Sequence, residues 1–214
     1  METENLELLI EGARDLGLEL GERETALFDQ YLSLLDKWST KTNLTAIKGE
    51  RERVIRLILD SLNVVPLLAD GMRVIDIGSG AGLPGIPVKV VMPGVELVLC
   101  ESRKKRAVFL GEAVRKLKLD GVRVFDARAE QWDGELFDAA LVRAVGALDA
   151  LVKICSPLMK RGGVLIAMKG PGAERELVDQ MEAADKPGFS FRETIDYNLP
   201  GREATFSLVI LEKT

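Results

Sequence analysis

A short strand-like run broken by three alternating glycines constrains this chain more than any other stretch. The segment VIDIGSGAGLPGIP, residues 74–87, begins apolar and passes Asp76. It then places glycine at 78, 80 and 82 ahead of Pro84 and a second apolar stretch. That order predicts a strand, a tight turn and a helix start. Glycine permits the sharp turn and lets a ligand approach where a Cβ would block it. The unpartnered amides of a helix start favour electron-rich groups, so the expected ligand is nucleotide-like. The dinucleotide fingerprint G-x-G-x-x-G would need its third glycine at Leu83. The spacing present is D-x-G-x-G-x-G.

The chain around this turn alternates strand and helix signals. Strands are predicted at Arg73–Ile77, Glu96–Cys100, Val122–Asp126, Phe137–Val142 and Val164–Met168. Helical periodicity covers Arg103–Leu119, through Val108, Leu110, Val114 and Leu117, and then Leu148–Met159 and Glu174–Ala184. This rhythm predicts an α/β fold with a doubly wound, mostly parallel Rossmann-like sheet. The last two runs, Phe189–Asn198 and Ala204–Glu212, flank Leu199-Pro200-Gly201-Arg202, which leaves no room for a crossover helix. They predict a C-terminal antiparallel hairpin. Residues 1–69 read as helical, with a stripe through Leu27, Tyr31, Leu34, Leu35 and Trp38 and another through Val54, Ile55, Ile58, Leu59 and Leu62. The expected organisation is an N-terminal helical extension, 1–69, packed on a sheet domain, 70–214.

Composition removes several functions. With 214 residues, 47% of them hydrophobic, the chain can bury one substantial core. A net charge of −5 gives no whole-molecule positive field for nucleic acid, so RNA contact would need a local basic patch. One candidate is Lys37, Lys41, Lys48, Arg51, Arg53 and Arg56, and another is Arg103-Lys104-Lys105-Arg106. Each reads equally as a solvated helix face. Cys100 and Cys155 lie inside apolar runs, which fits buried thiols in a reducing compartment. The opening METENLELLI carries acids rather than a basic leader, and no apolar run approaches the ~18 to 20 residues of a membrane span. A cytoplasmic protein without a membrane anchor is expected. The chain contains no histidine, which makes Ser-His hydrolysis and zinc chemistry poor candidates and leads us to expect no metal.

In a doubly wound sheet, ligands lie beyond the carboxyl ends of the strands. The residues there are Asp76 to Gly82, including Ser79, then Glu101-Ser102, Asp126 to Glu130, Arg143-Ala144 and Lys169-Gly170. Glu101 stands 21 residues beyond Gly80, where a ribose-binding carboxylate is expected. Ala129-Glu130 could meet an adenine edge. Arg143 follows an apolar strand and calls for an anion or a polar ligand. Lys169, beside Gly170-Pro171-Gly172, invites the same reading.

These features together resemble class I S-adenosylmethionine-dependent methyltransferases. NLTAI at 43–47, LDSL at 59–62, DIGSGAGLPGIP at 76–87, RAE at 128–130, RAV at 143–145 and KG at 169–170 are similar to the GidB/RsmG family. The resemblance implies methyl transfer from S-adenosylmethionine to N7 of a guanosine in 16S RNA of the small ribosomal subunit, by a monomer. It implies cofactor-site positions at Asp76, Gly78, Ser79, Gly80, Gly82, Leu83, Ala129, Glu130 and Arg143, with Glu101 and Ser102 near the ribose. It further implies that Arg143, Lys169 and Asp60 carry the reaction. One departure stands out, because members often carry histidine two residues before the leucine of LDSL, where this chain has Leu57. N7 of guanine carries no proton, so its methylation needs alignment rather than a general base. The chain also lacks an N-P-P-[YF] segment after its fourth strand, and a cysteine there. A methyltransferase of a small molecule or protein, and a non-catalytic ribosome-assembly module, are the alternative readings.

Overall fold

The computed structural model describes residues 1–40, 42–143, 148–171 and 188–214. Helix α1, Thr3–Asp15, buries Asn5, Leu9 and Ala13, one residue per turn on a single face. Helix α2, Glu22–Ser39, follows Gly21, whose N–H donates to Glu24 at 3.0 Å, and it buries Phe28, Tyr31, Leu32, Leu34 and Leu35. A third helical run begins as α3, Glu50–Arg53, widens to a π-helical segment over Val54–Leu59 and ends as α4, Asp60–Leu62.

The sheet then forms from β1, Arg73–Ile77; β2, Glu96–Cys100; β3, Val122–Phe125; β4, Phe137–Arg143; β5, Met159–Lys169; β6, Phe189–Asn198; and β7, Thr205–Lys213. Between them lie α5, Gly85–Val91; α6, Lys104–Lys116; and α7, Leu148–Cys155. Among the described residues the strand order is β3-β2-β1-β4-β5-β7-β6. β1 to β5 pair in parallel, whereas β7 is antiparallel to both β5 and β6. The chain turns back on either side of β1, and Ile77 pairs with both Cys100 and Val142, so three strand ends stand level beside the glycine loop.

Alternation assigns the two faces. Val74, Leu97, Leu99, Ala139, Leu141, Ile166 and Ile210 join one hydrophobic cluster with Leu9, Phe28, Tyr31, Leu35, Ile58 and Phe109. Their neighbours Ile75, Val98, Cys100, Ala140, Val142, Leu165 and Val209 join a second cluster with Leu148, Leu151 and Cys155. A strand covered on both faces must be apolar at nearly every position, which is why these strands read as continuous apolar runs. The helices of residues 1–69 therefore cover the same sheet face as α5 and α6.

The structure adjusts several expectations. Val108 is 53% exposed rather than part of the buried stripe of α6, whose core contacts are Ala107, Phe109, Leu110 and Ala113. Helix α7 ends at Cys155 and tightens to a 3-10 turn over Ser156–Leu158, because Pro157 has no N–H to continue the ladder. β5 begins five residues before the expected Val164, running through Gly162-Gly163, where weak strand propensity hid it. The expected helix Glu174–Ala184 lies outside the described residues, as do Lys41, Ala144, Val145 and Gly172.

Candidate functional site

The loop after β1 is held in place by its own backbone. Gly78, Gly80 and Gly82 adopt φ of 73°, 57° and 88°, the left-handed region in which a Cβ is costly. The N–H groups of Gly78 and Ser79 both donate to the Cys100 carbonyl, at 2.8 and 3.1 Å, which ties the loop to the end of β2. Ser79 Oγ donates to the Asp76 carbonyl at 2.8 Å, and the N–H groups of Gly82 and Leu83 return to the Ser79 carbonyl. A Cβ on Gly82 would clash with Ile86 Cδ1, whereas one on Gly80 would meet nothing closer than Arg106 Nη1 at 3.6 Å. Gly82 is thus needed for packing, whereas Gly80, itself buried, would hold a Cβ in ordinary van der Waals contact.

Two carboxylates flank the loop in different states. Asp76 is fully buried, and its Oδ2 accepts the Gly85 N–H at 3.0 Å. Its Oδ1 is buried without a partner. Burial raises this carboxyl to about 7, against the opposing Gly85 hydrogen bond and the Arg143 charge. Glu101, 5% exposed, is spoken for at both oxygens. Oε2 accepts the Gly80 N–H at 3.0 Å and Oε1 accepts the Arg103 N–H at 2.8 Å, with Arg106 Nη1 3.9 Å away. The arrangement makes Glu101 a brace between the glycine loop and the start of α6. Ser102 and Glu130 are exposed nearby, and Ala129 is buried at the start of a 3-10 turn, Ala129–Gln131, following β3.

On the covered face of the sheet, Arg143 at the end of β4 reaches the N-terminal helices. Its Nη2 lies 2.9 Å from Asp60 Oδ2 and donates to the Arg56 carbonyl at 2.6 Å. Asp60 Oδ1 accepts the Tyr197 hydroxyl at 2.7 Å, from β6. Burial raises the Asp60 carboxyl, and Arg143, Tyr197 and Arg56 oppose that rise. Lys169 ends the adjacent strand, one position beyond the Met168 that pairs with Arg143, and it is half-buried. Leu57 is buried in the apolar cluster at 2% exposure and takes no part in this polar group.

The structure thus forms two groups from the expected residues. One comprises Asp76, Gly78, Ser79, Gly80, Gly82, Leu83 and Glu101 around the glycine loop; the other comprises Asp60 and Arg143, whereas Lys169, one position beyond Met168 on β5, falls by alternation on the opposite sheet face. Sequence reasoning missed Tyr197 and the loop role of Tyr31, whose hydroxyl donates to the Ala81 carbonyl at 2.7 Å from within the core. Each sits in an apolar stripe that hides its hydroxyl. Both thiols are poor nucleophiles here, because burial pushes Cys100 and Cys155 up to about 12.

Comparison with solved structures supports the fold. A precorrin-6y C5,15-methyltransferase from Geobacter metallireducens superposes with a TM-score of 0.57 at 15% identity, covering 84% of this chain and 95% of that one. M. jannaschii TYW2, solved in complex with AdoMet, gives 0.56 at 17% identity, covering 72% and 75%. Sequence comparison is more specific. Ribosomal RNA small subunit methyltransferase G from Pelotomaculum thermopropionicum is 40% identical over 215 residues, spanning 97% of this chain and 90% of its own length. The enzyme of that name from Acetivibrio thermocellus is 35% identical, with 96% and 87% covered. The sequence pattern of the family described as rRNA small subunit methyltransferase G (GidB) matches residues 24–196. With the glycine loop, the Glu101 brace and the methyltransferase strand order all in place, the chain belongs to the rRNA small subunit methyltransferase G family.

Proposed function

We propose that this protein transfers the methyl group of S-adenosylmethionine to N7 of a guanosine in small-subunit (16S) ribosomal RNA. The residues fit the cofactor. The positive-φ glycines keep Cβ atoms out of the loop, Gly78 stands exposed at its start, and the unpartnered Asp76 Oδ1 can accept a hydrogen bond from an ammonium group. When bound, S-adenosylmethionine supplies an electrophilic methyl group on a sulfonium sulfur. Gly78, Ser79, Gly80, Gly82 and Leu83 hold its amino-acid end together with Asp76. Glu101, already oriented by two backbone amides, accepts from the ribose with Ser102 beside it. Ala129 and Glu130 border the adenine.

The acceptor choice rests on one observation: among the described residues, no side chain of the acceptor group is available as a base. Asp60 is engaged by both Arg143 and Tyr197, burial raises the Tyr197 hydroxyl, and the chain has no histidine. A ring nitrogen with a free lone pair needs no base, only alignment. Arg143 and Lys169 orient the RNA, and Asp60 offsets the positive charge that the purine acquires. Exposed Lys48, Arg51, Arg56, Arg103, Lys104 and Lys105 supply phosphate contacts in a chain of net charge −5. In this reading residues 1–69 form an extension on a 70–214 methyltransferase domain, and the protein works as a cytoplasmic monomer without metal.

The test uses small-subunit RNA from a strain lacking the protein, incubated with purified protein and labelled cofactor. Nucleoside mass spectrometry is expected to show one new N7-methylguanosine per RNA. Label on another nucleoside would reject the acceptor, and no detectable cofactor binding by calorimetry would reject the reading altogether.

A further inference from the structure

We propose that Tyr197 is a positioning residue for methyl transfer: its hydroxyl holds Asp60 so that the second carboxylate oxygen fixes Arg143 at the carboxyl end of β4. This rests on the acceptor-side role assigned above to Asp60 and Arg143. The three groups come from the helical run 50–62, from β4 and from β6, with Tyr197 137 positions beyond Asp60. The contacts are short and specific: 2.7 Å from the Tyr197 hydroxyl to Oδ1, and 2.9 Å from Arg143 Nη2 to Oδ2. The side chain of Asp60 is 7% exposed and that of Arg143 21%, so the carboxylate lies inside and the guanidinium reaches toward the surface.

Stability gives little reason for such a group. A buried ion pair contributes little over an apolar replacement of the same shape, and the Tyr197 ring is already placed by stacking on Phe206, with centroids 5.7 Å apart. The hydroxyl adds orientation instead. Asp60 also follows directly on the π-helical segment Val54–Leu59, and such insertions are frequent at functional sites. The widened segment supplies the Arg56 carbonyl to the same Arg143 Nη2 that meets Asp60. The guanidinium is therefore held from one helical run by a main-chain and a side-chain acceptor, and Tyr197 sets the angle of the latter.

Among the described residues, the charged and titratable groups facing Asp60 are Arg56 on its own run, Arg143 from β4 and Tyr197 from β6. Removing the hydroxyl leaves burial opposed by the two arginines alone, so the carboxylate takes up its proton at a higher pH.

The experiment compares wild type with Tyr197→Phe, which keeps the ring. The Asp60 carboxyl carbon, assigned by its loss in Asp60→Asn, is titrated by NMR without cofactor or RNA and is expected to shift its midpoint upward in Tyr197→Phe. The kcat for RNA methylation is expected to fall about tenfold, the loss of one hydrogen bond to a charged group. The acid limb of its pH profile should move upward with the NMR midpoint, while cofactor Kd and Tm stay near wild type. An unchanged Asp60 titration, or an unchanged kcat, overturns the proposal. A kcat loss matched by an equal loss of cofactor affinity or of Tm also overturns it, since that is the mark of a general structural role. Wild-type protein that transfers no methyl to any small-subunit RNA brings down the functional reading itself. In that case the titration still shows separately whether the hydroxyl holds the carboxylate.

Discussion

Asp76 carries the most consequential ionisation in the molecule. Its carboxyl stands at about 7 in the fold against an ordinary 3.8, because burial outweighs the hydrogen bond from Gly85. The unfolded chain therefore loses this proton first as pH rises, and the folded state holds more protons across the interval between. Its contribution to stability is complete below about 4 and is lost as pH climbs to about 7, by roughly 4 kcal/mol at most. Urea unfolding of wild type and Asp76→Asn at pH 5.5 and 8 is expected to show the wild type losing more stability than the variant over that rise. The two loop glycines separate packing from binding. Gly82→Ala must displace Ile86 and adopt a φ of +88°, and is expected to lower stability by about 2 kcal/mol or more in thermal unfolding. Gly80→Ala meets no atom within 3.5 Å in the fold. It is expected to cost only about 1 kcal/mol of stability while weakening S-adenosylmethionine binding at least tenfold by calorimetry.

At the scale of elements, the glycine loop is held from three directions: by β2 through the Cys100 carbonyl, by α6 through Glu101, and by α2 through Tyr31. The last tie joins an N-terminal helix to the loop assigned to the methyl donor. Tyr31→Phe leaves the ring in place but deprives the Ala81 carbonyl of a buried donor, at a cost of about 1 kcal/mol. Its expected signature is a raised KM for S-adenosylmethionine with an unchanged KM for RNA. Among the described residues, polar contacts tie the C-terminal hairpin to the helical run 50–62 through Tyr197–Asp60 and through Arg202–Glu52. The second pair is nearly 40% exposed on each side, and exposed pairs contribute little. Arg202→Ala is therefore expected to leave stability and kcat close to wild type, whereas Tyr197→Phe lowers kcat.

For the whole molecule, the N-terminal helices and the sheet share one hydrophobic cluster, in which Leu9, Phe28 and Ile58 pack with Val74, Leu141 and Ile210. Removing residues 1–69 would bare that face of the sheet, an apolar patch of the kind that drives aggregation. Full-length protein is expected to unfold in a single cooperative calorimetric transition, and a 70–214 fragment to be insoluble or to lack a transition. A separately folding fragment would show instead that the extension is only docked.

The sequence by itself determined the parallel α/β sheet, the hairpin and the glycine loop, because each rests on local rules. Alternating apolar residues mark two-sided burial, Leu199-Pro200-Gly201-Arg202 leaves no room for a crossover, and glycines at 78, 80 and 82 answer a backbone requirement at those positions. It also marked Arg143 and Glu101 as polar residues at strand ends, and Asp60 through its place in a family motif. Only the tertiary structure decided what those side chains meet. Glu101 is a brace satisfied by Gly80 and Arg103, and Asp60 joins Arg143 to Tyr197 across most of the chain's length. Such partners are fixed by how the helices of residues 1–69 pack on the sheet face to which β4 and the edge strand β6 contribute, which no local spacing encodes. A tyrosine in an apolar stripe shows its ring in the sequence and its hydrogen bond only in the fold.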